Sequence, residues 1–595
     1  MKKINKKKLW EEALWKSNFL ESSFEELTKY VKNFNKSNNL SDHKLKKIKI
    51  AIISSYLTNY LIEFLPLMFA RRGFEVTFAQ GPFGEIASTI LDKGSFIFKK
   101  KFDLILILPT FRDLMFKPSI QDSKKKILLN IKKEVRFWRN LWKLLPTPTI
   151  QMGFDPPDHS IGSEVAGIFP GSVHFHCRNV NMQLYQNMSS SITLIDVEYI
   201  INKIGLRNWH DSRTYHLCKQ PFSFESIPEI SDTLSACSAA LLGKRKKVIV
   251  LDLDNTIWGN AIGDVGLEGI EIGPETPEGE AFTEFQKYLL ELKKSGVLLA
   301  VCSKNDKRIA LEPFLSHPAM LIKKKDISCF IANFKDKASN LLTIANELNL
   351  GTDSFVFIDD SPVERSWVKE RMPEVLVPEI PSNPAEFPRI IEETKAFTIN
   401  RITKEDLKRA SSYAAQAKVK KILNKTKDIE KFLSTLNPKA KIENVGPASL
   451  DRIQQIISKT NQFKLNPTIL TAKEIMNDKK NILALRFRDK LQDYGIISVA
   501  ILKKNKHILE IKNWVMSCRV FSRNIEFLMQ KLFIKAAKKL GLKKIELEYL
   551  RNEKNGFMQS LLPKIGYKIT KNKKIWVFDI KSEEKVKAHN INLEN

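Results

Sequence analysis

Short apolar runs that end in polar residues recur along the chain, with helical patterns between them. In the first part, Ile48–Ser55, Phe74–Ala79 and Asp103–Leu108 have the length and apolar character of buried strands, and Tyr60–Arg72 has helical periodicity. Strands that alternate with helices are typical of a parallel sheet covered by helices. We therefore expect an open α/β domain over residues 46–240.

The same pattern returns after a basic linker. Val248–Leu251, Leu298–Asn305 and Phe355–Asp360 are predicted as three further buried strands, each ending in or followed by polar side chains. A flap, Ile257–Pro277, and a helix, Gly279–Ser295, are predicted between the first two strands. This interval leaves no room for a large inserted domain, so we expect an open site at the strand ends.

A third part follows a Pro-rich stretch, Val377–Pro384, and a helical stretch, Thr403–Asn424. We expect two strand pairs, then an amphipathic helix, and finally a strand, a helix and a strand. In chain order these elements are Ile482–Arg488 with Gly495–Leu502, Ile508–Ile511 with Trp514–Met516, Ile525–Leu540, Lys544–Tyr549, Gly556–Leu562 and Lys574–Phe578.

Composition narrows the class of protein. The 595 residues carry a formal net charge of +30 and six cysteines, which form no CxxC pair. Dispersed cysteines, and a basic start at Met1–Lys8 without a following apolar stretch, favour a cytoplasmic protein. No apolar run approaches the ~20 residues of a membrane span. The net positive charge is compatible with nucleic acid, anionic lipid or an acidic protein as a partner, or it reflects a general lysine bias. No nucleic-acid-binding motif is present, so we expect no nucleic acid partner.

Two acids, Asp252 and Asp254, follow the strand that ends at Leu251, and Thr256 comes two residues later. Parallel sheets keep their sites at this strand end. A carboxylate can attack an anionic phosphate ester only if Mg²⁺ neutralises both groups. We expect Asp252 to be nucleophile and metal ligand, Asp254 to be acid and base with its carbonyl on the metal, and Thr256 to orient the nucleophile. A strand end with an Asx turn is the structural alternative.

Three later segments supply the remaining groups that phosphoryl transfer needs. Ser303 ends the second strand, Lys337 precedes a helix, and two more acids close the third strand. Hydroxyl and ammonium groups hold phosphoryl oxygens, and carboxylates complete a Mg²⁺ shell. The expected phosphate-binding residues are Ser303, Lys304, Asn305 and Lys337, and the expected further metal ligands are Asp359 and Asp360.

This four-part set resembles the haloacid dehalogenase superfamily of aspartate-nucleophile phosphotransferases. The strings Leu251–Asn260, Ile262–Ile270, Ala300–Asp306 and Phe357–Arg365 resemble the FkbH-like family more closely. The resemblance extends from about Ala51 to Phe578. Members of that family are linked to making glyceryl-acyl carrier protein from 1,3-bisphosphoglycerate.

The resemblance implies a multidomain α/β fold. Its parts are an SGNH-hydrolase-like or flavodoxin-like α/β domain, a capless haloacid dehalogenase-like Rossmannoid domain and a GNAT-like α+β acyltransferase domain. The expected boundaries are 1–45 for a helical basic lead, 46–240, 244–398 and 399–582 for the three domains, and 583–595 for a polar tail. In the first domain, Ser54 or Ser55 with His210 is conceivable as nucleophile and base, although no Gly-Asp-Ser block is present; a degenerate docking domain is the alternative.

The third part departs from the usual GNAT pattern, in which glycines stand where this chain has Ser522 and Asn524. Side chains there restrict a close approach of pyrophosphate, which puts coenzyme A binding in doubt. Cys518 lies beside Arg519, near Arg523, and before a helix that Ser522 can cap, an environment that favours a thiolate. The resemblance implies a glyceryl thioester on Cys518; an ordinary half-buried cysteine is the alternative.

Asn461 and Gln462 lie in a family-like string, Lys459–Asn466, and either bind glycerate hydroxyls or pantetheine, or cap a helix. The implied function is a phosphatase and glyceryltransferase that acts on a small phosphorylated substrate and loads the phosphopantetheine of an acyl carrier protein. Two alternatives stay open: a stand-alone Mg²⁺-dependent phosphatase in sugar or surface-polysaccharide biosynthesis, and a non-catalytic scaffold that docks a carrier protein.

Overall fold

The computed structural model describes residues 13–14, 16, 19–37, 45–189, 191–400, 433–460, 462–467, 470–517, 520–521, 523–552, 555–587 and 589–594. The chain divides into two compact units, residues 1–245 with 393–401, and residues 246–392 with 402–595. The predicted helix at 403–424 lies outside the described residues. The domain boundaries expected from the sequence stay predictions.

The first unit contains a five-stranded parallel sheet with the order β2-β1-β3-β4-β5. Its strands are β1 (Lys46–Ser54), β2 (Phe74–Gln80), β3 (Leu104–Leu108), β4 (Thr149–Met152) and β5 (Ile192–Ile195). This order is that of the flavodoxin-like fold, as the sequence predicts. The predicted strands agree to within two residues. The strands β4 and β5 were not predicted, because four residues with internal threonine or glutamine give little pattern.

The helices of the first unit cover this sheet. An apolar stretch makes α2 largely buried, and it begins and ends within one residue of its predicted bounds. The helices are α1 (Phe24–Asn35), α2 (Asn59–Arg71), α3 (Ile86–Leu91), α4 (Phe96–Lys99), α5 (Lys124–Leu144), α6 (Val173–Gln186), α7 (Val197–Ile204), α8 (Leu206–Trp209), α9 (Ser212–Cys218) and α10 (Ile227–Leu241).

The second unit begins with a four-stranded parallel sheet of order β8-β7-β6-β9. Its strands are β6 (Val248–Leu251), β7 (Leu298–Ser303), β8 (Ile327–Ala332) and β9 (Phe355–Ile358), and all but β8 were predicted. Its helices are α11 (Ile262–Gly269), α12 (Pro277–Lys294), α13 (Lys307–Ser316), α14 (Lys337–Leu348), α15 (Pro362–Arg371) and α16 (Phe387–Glu393). Between β6 and β7 lie only the flap, which contains the kinked α11, and α12.

The rest of the second unit contains an eight-stranded mixed sheet of order β15-β16-β14-β13-β12-β11-β10-β17. Its strands are β10 (Lys439–Glu443), β11 (Ile482–Arg488), β12 (Asp493–Asn505), β13 (Ile508–Met516), β14 (Lys544–Glu548), β15 (Lys568–Ile569), β16 (Ile575–Asp579) and β17 (Asn592–Glu594). Its helices are α17 (Pro447–Lys459), α18 (Ala472–Asn477), α19 (Ile525–Lys539) and α20 (Gly556–Lys564).

Two details of this sheet differ from the sequence prediction. The expected pair of strands at 508–511 and 514–516 is one continuous strand, β13, which pairs along its length with β12. The expected polar tail contributes β17, which pairs with β10, and it buries Val586 and Ile591. Neither feature has a local signal, because strand continuity and edge pairing are decided by partners far along the chain.

The strand β13 also diverges from its parallel neighbour β14. The two pair only through Ile508–Ile511. Beyond that point, the backbone of β13 bonds instead to Phe463 and Leu465, which fill the space. Residues 463–465 therefore occupy the gap between the two parallel strands.

No helix among the described residues combines the length and the apolarity that a bilayer crossing requires.

A buried ion cluster fixes residues 393–401 within the first unit. Asp232 lies 2.8 Å from Arg72 and 2.6 Å from Lys395, and Lys395 also lies 3.1 Å from Glu229. Burial alone would raise the pKa of Asp232, but Lys395 and Arg72 together lower it below its ordinary value. The free energy from this ionised carboxylate is therefore present above the unfolded pKa near 3.8 and is lost as the pH falls below it.

We expect Asp232→Asn to lower the free energy of unfolding by about 3–5 kcal/mol at neutral pH, because it removes the buried carboxylate that Arg72 and Lys395 share and leaves Lys395 with Glu229 alone. Denaturant unfolding monitored by circular dichroism measures the loss. The matched control is Glu75→Gln, which removes an exposed ion pair with Lys47 and should cost about 0.5 kcal/mol or less. Equal losses in the two variants would contradict a stabilising role of the cluster.

Candidate active site

The predicted nucleophile lies where β6, an inner strand of the four-stranded sheet, ends. All four residues of β6 are buried, and the next residue, Asp252, continues the pairing by donating its amide hydrogen to the carbonyl of Ile358, at 2.9 Å. A turn follows, with Asn255 at a φ of 51°. Asparagine tolerates this left-handed conformation, so the chain reverses directly after the strand.

Three carboxylates and one ammonium group converge at this edge. Nζ of Lys337 lies 2.9 Å from Oδ2 of Asp252 and 2.5 Å from Oδ2 of Asp359. Oxygens of Asp252, Asp359 and Asp360 lie within 4.8 Å of one another. The sequence placed these residues on three separate segments, and the structure brings them together.

The surrounding structure explains how these side chains are held. Asp336 accepts the amide hydrogen of Ser339 at 2.9 Å and caps α14, which places Lys337 in the first turn of that helix. Nη1 of Arg365 donates to the carbonyls of Asp359 and Asp360, at 2.8 and 2.7 Å. The loop after β9 is therefore fixed through its backbone carbonyls, and Oδ1 of Asp359 also accepts the amide hydrogen of Ser361 at 3.0 Å.

Burial and charge shift the pKa values of this cluster. Burial raises the pKa of Asp252 to about 7, since the attraction of Lys337 only partly offsets it and Asp359 adds repulsion. The pKa of Asp360 is also raised, by burial and by Asp359. Burial alone would lower the pKa of Lys337, but Asp252 and Asp359 raise it. One ammonium therefore does not balance the three acids.

The residues at this edge fit a divalent cation. Oδ1 of Asp252 and Oγ1 of Thr256 are both buried without a hydrogen-bond partner. Hard oxygen ligands are those that Mg²⁺ prefers, and Asp252, Asp359 and Asp360 would hold it. The bound ion would supply positive charge for the phosphoryl oxygens. The side chain of Asp254 is not in this group of three, so its predicted contribution to the metal shell is limited to the backbone carbonyl.

Asp254 is instead bound by three donors. Its Oδ1 accepts from the indole of Trp258 at 3.0 Å and from the amide of Ile262 at 3.1 Å, and its Oδ2 accepts from Asn305 at 3.3 Å. Asn305, predicted to bind substrate, thus contacts the predicted acid and base. Trp258 and Arg365 were not predicted to have a function, although both stand inside the family-like strings.

Ser303 is buried at the end of β7, next to β6, where the sequence placed it. Lys304, the next residue, forms a 2.5 Å ion pair with Glu364 at the start of α15. The phosphate-binding roles of Ser303, Lys304, Asn305 and Lys337 stay predictions, as do the catalytic and metal roles above.

The candidate residues of the third part are described only in part. Cys518, Arg519, Ser522 and Asn461 lie outside the described residues, and Gln462 lies beside the segment that pairs with β13. The N-cap position of α19 is Asn524, at a φ of 62°, and its side chain makes no cap hydrogen bond. Asn524 therefore meets the conformational requirement of the expected glycine. The capping role predicted for Ser522 falls outside the described residues.

Arg523 does not provide free positive charge near Cys518. Its Nη1 lies 2.8 Å from Oδ2 of the buried Asp489, and its Nη2 donates to the hydroxyl of Tyr494 at 3.0 Å. The guanidinium of Arg523 therefore contributes less to stabilising a thiolate at Cys518 than the sequence predicts.

In the first unit, two of the three groups considered as a serine nucleophile and its base, Ser54 and His210, have structural partners. Ser54 donates to the carbonyl of Leu108 at 3.3 Å, and Nε2 of His210 lies 2.8 Å from the carbonyl of Pro156. These contacts support a structural role for both residues.

We expect Mg²⁺ to raise the melting temperature, and to raise it more at pH 8 than at pH 6. The raised pKa of Asp252 means that the metal-free fold loses stability as the pH rises from about 4 to about 7, and that Mg²⁺ competes with a proton below pH 7. At a hundred times its Kd, a ligand adds about 2.7 kcal/mol. Thermal unfolding with Mg²⁺ or EDTA measures the shift.

Asp359→Asn should remove most of this Mg²⁺ response. The matched control Asp326→Asn, which breaks a 2.7 Å ion pair with Lys293 in the same unit, should keep it. A full response in the Asp359 variant would show that the cation binds elsewhere.

Comparisons with known proteins agree with this geometry. The family model described as "FkbH, N-terminal domain" matches residues 49–236. A search of curated proteins finds no match. Among solved structures, the N-terminal part of the protein BF1531 from Bacteroides fragilis, containing a phosphatase domain and complexed with Mg, is 30% identical with a TM-score of 0.57. That match covers 64% of this chain and 100% of the other.

Two acetyltransferases also match over 24% of this chain. The ribosomal-protein-S18-alanine N-acetyltransferase from Escherichia coli is 14% identical, with 94% of its chain covered and a TM-score of 0.19. The PaiA N-acetyltransferase from Thermoplasma acidophilum, in complex with coenzyme A, is 15% identical, with 99% covered and a TM-score of 0.20. The motif residues, the N-terminal family match and the match that covers 100% of the BF1531 fragment point to the same family. The chain belongs to the FkbH-like family of the haloacid dehalogenase superfamily.

Proposed function

We propose that this enzyme removes the 3-phosphate of 1,3-bisphosphoglycerate and transfers the glyceryl group, through a thioester on Cys518, to the phosphopantetheine thiol of an acyl carrier protein. The observation that carries the phosphatase half is the convergence of Asp252 and Asp359 on Lys337. The resemblance to the FkbH-like family supports the glyceryl transfer.

In the phosphatase half, an oxygen of Asp252 attacks phosphorus and forms an aspartyl phosphate. The ester P–O bond breaks, and the leaving oxygen takes a proton from Asp254. Asp254 then accepts a proton from the water that hydrolyses the aspartyl phosphate. The ammonium of Lys337 stabilises the negative charge on the phosphoryl oxygens in both steps. Because Lys337 is buried, water is excluded from that contact.

In the transfer half, the thiolate of Cys518 attacks the carbonyl carbon of the acyl phosphate. The C–O bond to phosphate breaks, phosphate leaves with the electron pair, and no ATP is needed because the acyl group is already activated. The carrier thiol then displaces Cys518 from the thioester.

The formal charge of +30 supports an acidic partner such as a carrier protein, because opposite charges raise the rate of encounter. The stand-alone phosphatase remains the second candidate, and one observation favours it. Arg523 is neutralised by Asp489, so one of the two cations that would activate Cys518 is already paired.

We expect Asp252→Asn to lower phosphate release from a phosphate monoester by a factor on the order of 10³ or more, since an amide cannot form the aspartyl phosphate. Steady-state assays with Mg²⁺ measure the loss. The control Asp264→Asn changes an exposed acid on the flap and should keep the rate. Comparable rates for wild type and Asp252→Asn would end the assignment of Asp252 as nucleophile.

Intact-mass analysis separates the two candidate functions. Enzyme incubated with 1,3-bisphosphoglycerate, Mg²⁺ and a holo carrier protein should place a glyceryl mass on the carrier, and Cys518→Ala should abolish this transfer while phosphate release from a simple monoester continues. Cys218→Ala is the control, because Cys218 is a partly exposed free cysteine in the first unit. Release of phosphate without any acylated protein would favour the stand-alone phosphatase.

A further inference from the structure

The flap between β6 and α12 supplies two of the three donors to Asp254. The indole nitrogen of Trp258 and the amide nitrogen of Ile262 both donate to Oδ1, while Asn305 donates to Oδ2 from the loop after β7. The orientation of this carboxylate is therefore decided mainly by the flap. In a phosphatase without a large cap, no other inserted segment is present between β6 and β7 to do this.

The indole of Trp258 is itself held rigidly. Its side chain is fully buried, and its ring packs edge-on against Phe314 of α13, with the ring centroids 5.8 Å apart. The preceding residue is fixed as well, because Gln286 of α12 donates to the carbonyl of Ile257 at 3.0 Å. A buried indole N–H needs an acceptor, and the acceptor here is Asp254.

We infer that Trp258 is a positioning residue, which holds the Asp254 carboxylate where it can protonate the leaving oxygen and later accept a proton from the attacking water. The inference rests on the phosphatase activity assigned above. It predicts a specific defect: without the indole N–H, Asp254 turns away from the leaving group. The attack of Asp252 on phosphorus does not use this contact.

Leaving-group dependence distinguishes positioning from a general structural role. An alkoxide is a poor leaving group and needs the proton of Asp254, whereas p-nitrophenolate leaves without one. In Trp258→Phe, the ratio of kcat/KM for 3-phosphoglycerate to kcat/KM for p-nitrophenyl phosphate should fall at least tenfold. The value of kcat/KM reports the step in which the leaving group departs, and not the later hydrolysis of the aspartyl phosphate, which both substrates share. Steady-state kinetics on the full-length protein with saturating Mg²⁺ gives this ratio.

A matched control exists in the first unit. Trp138 is also a buried tryptophan whose indole donates to a carboxylate, Glu134, at 3.0 Å. Trp138→Phe should leave the ratio of the two kcat/KM values as in wild type. A parallel fall for both substrates in Trp258→Phe, or an unchanged ratio, overturns the inference.

Ile262→Pro is the second variant, for the case in which Trp258→Phe does not fold. Ile262 is the first residue of α11, where proline is tolerated, and Ala261 before it is already extended, at a φ of −88° and a ψ of 115°. The change deletes the second flap donor to Asp254, so the kcat/KM ratio should again fall, and an unchanged ratio in a folded variant contradicts the inference. If the wild-type enzyme hydrolyses neither substrate, it is the phosphatase assignment that fails.

Discussion

The site depends on one buried ammonium group that lies between two buried carboxylates. Lys337 contacts Asp252 and Asp359, and Asp360 lies close to both acids. Two like charges about 4 Å apart repel each other by about 4 kcal/mol at an effective dielectric constant near 20. One lysine cannot offset this repulsion among three acids. The pKa of Asp252 is raised mainly because its carboxylate is buried, and the repulsion from Asp359 adds to this effect. The strand ends are therefore arranged for a further cation.

The sheet topology makes this crowding possible. Because β6, β7 and β9 are parallel neighbours, their carboxyl ends meet at the same edge, with β6 in the middle. The fixed contacts of Arg365 and Asp336 are with backbone groups, so they hold the loops without using the reactive carboxylates. The precision of the site comes from strand ends and capped helices, which are rigid elements.

The parts of this arrangement that were predictable are those with a local signal. Buried apolar runs located β6, β7 and β9, and the polar residues after them gave Asp252, Ser303 and Asp359. The strand β8 was missed, since Ile327–Ala332 alternates in burial and follows a lysine-rich turn. The bonds of Asp254 were not predictable either, because Ile262 contributes a backbone amide, whose direction no sequence pattern specifies.

The two halves of the proposed reaction are built on different kinds of structure. The phosphatase residues stand on strand ends whose neighbours fix them, so their geometry follows from the fold. Cys518 belongs to the loop between β13 and α19, where Asn524 adopts a left-handed conformation and Arg523 is held by Asp489. A thiol in such a loop gains reactivity only from groups that the loop itself brings close. Since Arg523 is already paired with Asp489, the proposed activation of Cys518 has to come from groups other than Arg523.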